Sequence, residues 1–215
     1  MDATIIQKIT IYAIPLIFAI TLHEAAHAYA AKHFGDATAY MLGRMTLNPV
    51  KHIDPVWTIL VPIVTLMFSP LIFGAAKPVP VNFSALRNPK RDMIWVAAAG
   101  PLANLAMMVL WAVFGRIVIS LPASDPVEFM ALVAQAGIFV NALLMVFNLF
   151  PLPPLDGGRI LTGLLPGPLA YKFSRIEPYG MFILIALLLT GAMNYFLWPL
   201  VALSMKTIYG IIGLS

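Results

Sequence analysis

The stretch Ile11-Tyr-Ala-Ile-Pro-Leu-Ile-Phe-Ala-Ile-Thr-Leu-His-Glu-Ala-Ala-His-Ala-Tyr-Ala-Ala31 decides how this chain is read. Its length and apolar character predict a helix that crosses a bilayer. Within it His23 and His27 are four apart, share one helix face, and can grip a single Zn²⁺, with Glu24 placed to act on water at the ion. A soluble helix with this motif is amphipathic, whereas this one is apolar nearly all round. Ionisable side chains in such a span are costly and mark a functional site by default. The competing reading is a chance HExxH whose polar groups are satisfied by neighbouring helices.

The composition agrees with the motif's surroundings. Of 215 residues, 61% are hydrophobic and 10% charged, with mean hydropathy +0.91. A globular domain carries about 25% charged residues. The chain therefore reads as an integral membrane protein, one membrane-embedded domain over residues 1–215 with no room for a large soluble domain. The first apolar stretch runs past a normal signal-peptide core and carries the histidines, so it is expected to be retained. Cysteine is absent, which excludes disulfides and thiolate ligands and leaves His, Asp and Glu to bind a metal. The net charge of +4 is spread over short loops. It reads as a topology bias and not as a nucleic-acid footprint, so no nucleic-acid partner is expected.

Apolar segments fall at 5–31, 57–73, 93–119, 129–150 and 179–203, with no internal repeat and no low-complexity linker. All but the second are long enough to cross about 30 Å of hydrocarbon. The second is shorter and carries Pro62 and Pro70. Lys32, Arg44 and Lys51 lie in one loop, Lys77, Arg87, Lys90 and Arg91 in the next, and Arg159, Lys172 and Arg175 in a third, while the loop 120–128 has only Asp125 and Glu128. The positive-inside rule puts the three basic loops in the cytoplasm. Segment 57–73 then cannot cross once and remain consistent with its flanks. The expected fold is an all-α polytopic membrane protein: four full transmembrane helices plus a membrane-embedded re-entrant region with a short β element. The alternative is five or six crossings with the charge rule broken. Under the favoured topology the first helix runs inward with His23 and His27 near its cytoplasmic end, and the fourth also runs inward and delivers Asp156 to the same side.

A catalytic zinc needs three protein ligands and an open position. Candidates for the third are Asp156, His33, His52, Asp36 and Asp54. Asp156 lies in Asn148-Leu-Phe-Pro-Leu-Pro-Pro-Leu-Asp156-Gly-Gly-Arg159, where prolines break the fourth helix and glycines follow the carboxylate. The competing reading is a surface turn with Asp156 capping the next helix. Beside a zinc site short of one ligand, the ligand reading is preferred. Glu24 is then the general base, taking a proton from metal-acidified water and passing it to the leaving amine.

HEAAH in a first span, followed far downstream by LDGG, resembles the site-2 protease family of intramembrane zinc metalloproteases. Gly43-Arg-Met-Thr-Leu-Asn-Pro49, His52-Ile-Asp-Pro55, Ala76-Lys-Pro-Val-Pro-Val-Asn82 and Ala99-Gly-Pro-Leu-Ala-Asn104 are similar to its small prokaryotic branch. The resemblance implies one Zn²⁺ per chain on His23, His27 and Asp156, water activation by Glu24, and a substrate or oxyanion contact from Asn148. It implies a prokaryotic cell-membrane location and a transmembrane protein or peptide as substrate, and the loop charges put the active site toward the cytoplasm. No segment is long enough for the PDZ or CBS domains of larger relatives, and the oligomeric state is left open.

In Lys77-Pro-Val-Pro-Val-Asn-Phe83 the prolines enforce extended backbone, while Val79, Val81 and Phe83 alternate. The resemblance implies a re-entrant β element here that meets substrate, and an exposed strand edge could capture an unwound helix by β-addition. Val79, Val81, Asn82 and Asn104 are the substrate-binding candidates. A Pro-rich surface loop is the competing reading for 77–83, and an interhelical hydrogen bond is the competing reading for Asn104, as for Asn141. His52 is either a neighbour of the metal site or a loop histidine bonded to backbone, and His33 is interfacial. Trp57, Trp95 and Trp198 fit an interfacial belt. A transporter or proton relay using the same polar cluster is the alternative function. A catalytically dead chaperone is a third, disfavoured by the intact motifs.

Overall fold

The structure, a computed structural model, describes residues 5–54 and 77–213. Helix α1 is Ile5–His33, with Lys32 and His33 in its last turn complementing the helix dipole. A short helix α2, Thr38–Met41, follows, and Pro49–His52 and Phe83–Ala85 form single 3₁₀ turns. Helix α3 is Pro89–Val118, started by Pro89 and by Asp92, whose carboxylate accepts the Asn88 N–H at 2.7 Å. Helix α4 is Asp125–Asn148, with Asp125 and Glu128 in its first turn. Four more helices complete the chain: α5 Asp156–Leu164, α6 Gly167–Ser174, α7 Glu177–Leu189 and α8 Asn194–Ile212.

Helices α1, α3 and α4 pack against one another, α5 lies on α3, and α8 lies against α4 and α3. Small residues make this possible. Ala19, Ala28 and Ala31 of α1 are fully buried, so the backbones come close where lipid supplies no hydrophobic drive for association. A Cβ at Gly137 would overlap the Trp111 indole, so glycine lets α3 seat its largest side chain on α4. Met108, Ile138, Val146, Leu184 and Leu197 form the main core. Ile9, Ile14, Phe18, Leu102, Leu110 and Ile117 face outward, as lipid-facing positions of membrane helices do.

Among the described residues four helices are long and apolar enough to cross a membrane: Ile9–His33, Pro89–Val118, Asp125–Asn148 and Asn194–Ile212. The number matches the sequence expectation, but the last span does not. Segment 179–203 is not one helix. Helix α7 has 13 residues, about 20 Å at 1.5 Å per residue and too short to span. A turn follows at Gly191, whose φ of +73° is in the left-handed region, and the span begins only at Asn194. The expected re-entrant segment 57–73, with the alternative of further crossings, lies outside the described residues. The β element is corrected: among the described residues there is no strand, and 77–82 has no regular structure. Pro78 and Pro80 remove alternate N–H donors from this segment. Those of Val79 and Asn82 go to side chains, Glu24 and Asp36, in place of a partner strand.

Candidate metal centre

His23 and His27 project from α1 toward α3, and their Nε2 atoms are 3.1 Å apart. Each Nε2 lies 3.4 Å from Asp156 Oδ2. Asp156 is the first residue of α5, and no side chain caps that helix. Its carboxylate is aimed at the histidines instead of at the helix end. Two glycines permit this. A Cβ at Gly157 would strike the Leu149 carbonyl and one at Gly158 the Pro153 nitrogen, so only Gly-Gly lets α5 start flat against the turn that ends α4. Gly100 of α3 does the same on the other side, since a Cβ there would run into both imidazoles.

The three atoms fit a cation. The Val96 carbonyl lies 2.8 Å from His27 Nδ1. A carbonyl only accepts, so Nδ1 donates and Nε2 of the neutral ring turns its lone pair toward His23 and Asp156. Asp156 Oδ2 is buried with no hydrogen-bond partner. Acceptors converging on one point repel unless a positive charge sits among them. Tetrahedral zinc with bonds of about 2.0–2.1 Å separates its ligand atoms by roughly 3.3 Å, close to the spacings found here. Among the described residues, His23, His27 and Asp156 are the group of metal-ligating side chains close enough to share an ion. The other candidates are engaged or remote. Asp36 accepts from Thr38 and Asn82, His52 Nε2 bonds the Thr46 carbonyl at 2.9 Å, and His33 is exposed at the end of α1.

The cluster opens on a cavity of about 210 Å³, lined also by Glu24, Val79, Val81, Phe83, Asn148 and Arg159. Glu24 Oε2 accepts the Val79 N–H at 2.7 Å. Asn148 uses one N–H on the Leu144 carbonyl at 2.9 Å and keeps a second. Of the four substrate-side candidates, Val79 and Val81 line the cavity, while Asn82 and Asn104 do not. The Asn82 side chain caps its own 3₁₀ turn on Ser84 N–H, and Asn104 is fully buried between helices.

Arg159 is the site residue the sequence reading passed over. Its guanidinium pairs with Glu177 at 3.0 Å and lies 4.7 Å from the centre of the Phe83 ring. It joins α5, α7 and the segment after Lys77 at the cavity wall. The available signal is its place three residues after Asp156 on the same helix face.

Comparison with known proteins agrees with this geometry. Residues 117–191 match peptidase family M50. "Putative zinc metalloprotease YwhC" of Bacillus subtilis is 38% identical over 194 residues, covering 87% of this chain and 84% of that protein. "Putative zinc metalloprotease Rip2" of Mycolicibacterium smegmatis is 30% identical over 188 residues, covering 86% of this chain and 69% of the relative. No solved structure matches the chain. The chain belongs to peptidase family M50, the site-2 protease family, and is a metalloprotease embedded in the membrane.

Proposed function

We propose that this protein cuts peptide bonds in or near transmembrane segments of other membrane proteins, with one zinc ion held by His23, His27 and Asp156. The observation that carries this reading is the convergence of three acceptor atoms beside Glu24 at the wall of one cavity. Bound there, zinc lowers the pKa of water and polarises a carbonyl. The chain's own groups do the rest. Glu24 takes the proton of the attacking water and delivers it to the leaving amine. The second N–H of Asn148 donates to the oxygen on which charge develops at the scissile carbonyl. Val79 and Val81 hold the substrate backbone in extended form, since a helical backbone keeps its carbonyls engaged in i→i−4 bonds.

Basic residues cluster in sequence next to the segments that carry the site: Lys32 and Arg44 beyond His27, Lys77 and Arg87 around Val79 and Val81, and Arg159, Lys172 and Arg175 after Asp156. By the positive-inside rule this charge supports a cavity facing the cytoplasm, and a prokaryotic cell membrane is the location proposed with it. The test compares wild type with Glu24→Gln in lipid, following bound zinc and cleavage of a labelled transmembrane peptide. Zinc retained with cleavage reduced by about 10²–10⁴-fold is expected. Undiminished cleavage by the variant would remove Glu24 from its role.

A further inference from the structure

We infer that Asn104 is a positioning residue for the metal: it fixes which nitrogen of His23 carries the proton, and so points the other at the ion. The inference rests on the zinc reading above. It assigns Asn104 a different task from the substrate contact expected of it.

The polarity of the network follows from two backbone carbonyls. Asn104 Nδ2 lies 3.2 Å from the Ala19 carbonyl of α1. A carbonyl cannot donate, so the nitrogen end of this amide must face it and the oxygen end must face away. Asn104 Oδ1 then lies 2.7 Å from His23 Nδ1. An amide oxygen only accepts, so His23 Nδ1 carries the hydrogen and Nε2 is left with its lone pair toward His27 and Asp156. The second N–H of Asn104 meets Asn141 Oδ1 at 3.0 Å. Asn141 is oriented in its turn by the Gly137 carbonyl of α4, 2.9 Å from its Nδ2. Both amides are fully buried, where reversing either would leave donors facing donors.

The chain Gly137–Asn141–Asn104–His23 thus carries a proton assignment across α4, α3 and α1. His27 receives the same instruction from the Val96 carbonyl. The two histidines differ in what a side-chain substitution can change. A backbone carbonyl cannot be removed in this way, whereas Asn104 can. Neither N–H of Asn104 remains for a substrate, and the residue does not line the cavity.

The test uses the full chain in nanodiscs and measures zinc affinity by competition with a chromophoric chelator. Wild type, Asn104→Ala, Asn104→Asp and His23→Ala are compared. Loss of a hydrogen-bond partner behind a metal-bound histidine weakens binding roughly 10–100-fold, and Asn104→Ala is expected to fall in that range. Asn104→Asp keeps an acceptor for His23 Nδ1–H and is expected to bind zinc within a few-fold of wild type. Equal affinity in wild type and Asn104→Ala, or equal losses in the alanine and aspartate variants, would overturn the inference. His23→Ala separates the two readings. If it still binds zinc tightly, the metal site itself is wrong. If it loses zinc while Asn104→Ala does not, only the positioning role fails. Should Asn104→Ala not fold, ¹⁵N-histidine NMR of the metal-free wild type decides: a neutral His23 protonated at Nδ1 supports the inference, and one protonated at Nε2 refutes it.

Discussion

Glu24 stands between two regions built in opposite ways. On one side is the His23–His27–Asp156 cluster, set among α1, α3 and α5 with almost no freedom left. Gly100 presses on both imidazoles, and the Nδ1 atoms are held by Asn104 and the Val96 carbonyl. On the other side is the segment 77–85, which has no strand partner among the described residues and is held by separate clamps. Arg44 donates to the Lys77 carbonyl at 3.0 Å, Glu24 and Asp36 accept backbone N–H groups, and Arg159 covers Phe83. Hydrogen bonds of this kind contribute about 0.5–1.5 kcal/mol each, more where a charge takes part. They can be exchanged one at a time for bonds to a substrate. Displacing a histidine would mean repacking three helices. On the function proposed above, chemistry that demands fixed geometry is kept in the packed region, and contact with a variable substrate is left to the exchangeable one.

Substitutions in the two regions should therefore separate metal binding from substrate handling. The largest effect is expected for Asp156→Ala, which removes a proposed ligand and leaves two imidazoles facing each other. Zinc affinity should fall by more than the roughly 10–100-fold that a partner behind the ligands commands, and cleavage should fall with it. Unchanged zinc titration of this variant would break the assignment of the third ligand. Next comes Gly100→Ala. The added methyl has no space beside His23 and His27, and overpacking of this kind costs about 1–3 kcal/mol. Thermal unfolding should shift downward and zinc binding should weaken together. A fall in stability with zinc binding intact would show that the close contact serves packing alone.

The sequence was legible where chemistry demanded particular residues and opaque where geometry was decided by breaks. His23, His27 and Asp156 are brought together as their types and positions suggested, because two histidines on one face of an apolar helix need a polar partner and α5 starts with one against them. Hydropathy located three of the four spans well and misplaced the fourth. Hydropathy runs smoothly through Thr190 and Gly191, whereas the helix stops there because glycine tolerates a positive φ. The alternation of Val79, Val81 and Phe83 looked like a strand, yet the Val79 and Asn82 N–H groups are taken by the Glu24 and Asp36 carboxylates. Asn104 reads from sequence as a substrate contact or as an interhelical hydrogen bond, and its bonds to Ala19 and Asn141 are of the second kind. Its burial and its partners on two other helices are tertiary facts that no local pattern carries.

A middle-sized effect is expected at Asp36, which ties the segment 77–85 to the end of α1 without touching the metal. Its carboxylate accepts the Thr38 and Asn82 N–H groups at 2.9 and 2.7 Å. Hydrogen bonds to a charged group contribute about 1.5–3 kcal/mol. Asp36→Ala should therefore speed amide exchange across 77–86 roughly tenfold or more, measured by mass spectrometry in nanodiscs, with zinc affinity unchanged. The KM for a transmembrane peptide should change more than kcat. A parallel loss of zinc would show that the two regions are coupled and that the contrast between them is too sharp.

The smallest effect on chemistry is expected from Gly191→Ala. The φ of +73° is costly for any residue with a Cβ, about 1–2 kcal/mol. Space is not the obstacle, because the nearest atom to the added Cβ would be Asn194 Nδ2 at 3.7 Å. The cost is thus purely conformational and local to the corner between α7 and α8. That corner buries Met193 in the main core, so unfolding should come a few degrees earlier on heating. It places no ligand of the metal and no wall of the cavity, so zinc affinity and cleavage by the folded variant should equal wild type. A loss of cleavage without a loss of zinc would mean that α7, through the Glu177–Arg159 pair, transmits the corner's position to the cavity wall. The exchangeable region would then extend beyond 77–85 to include α7.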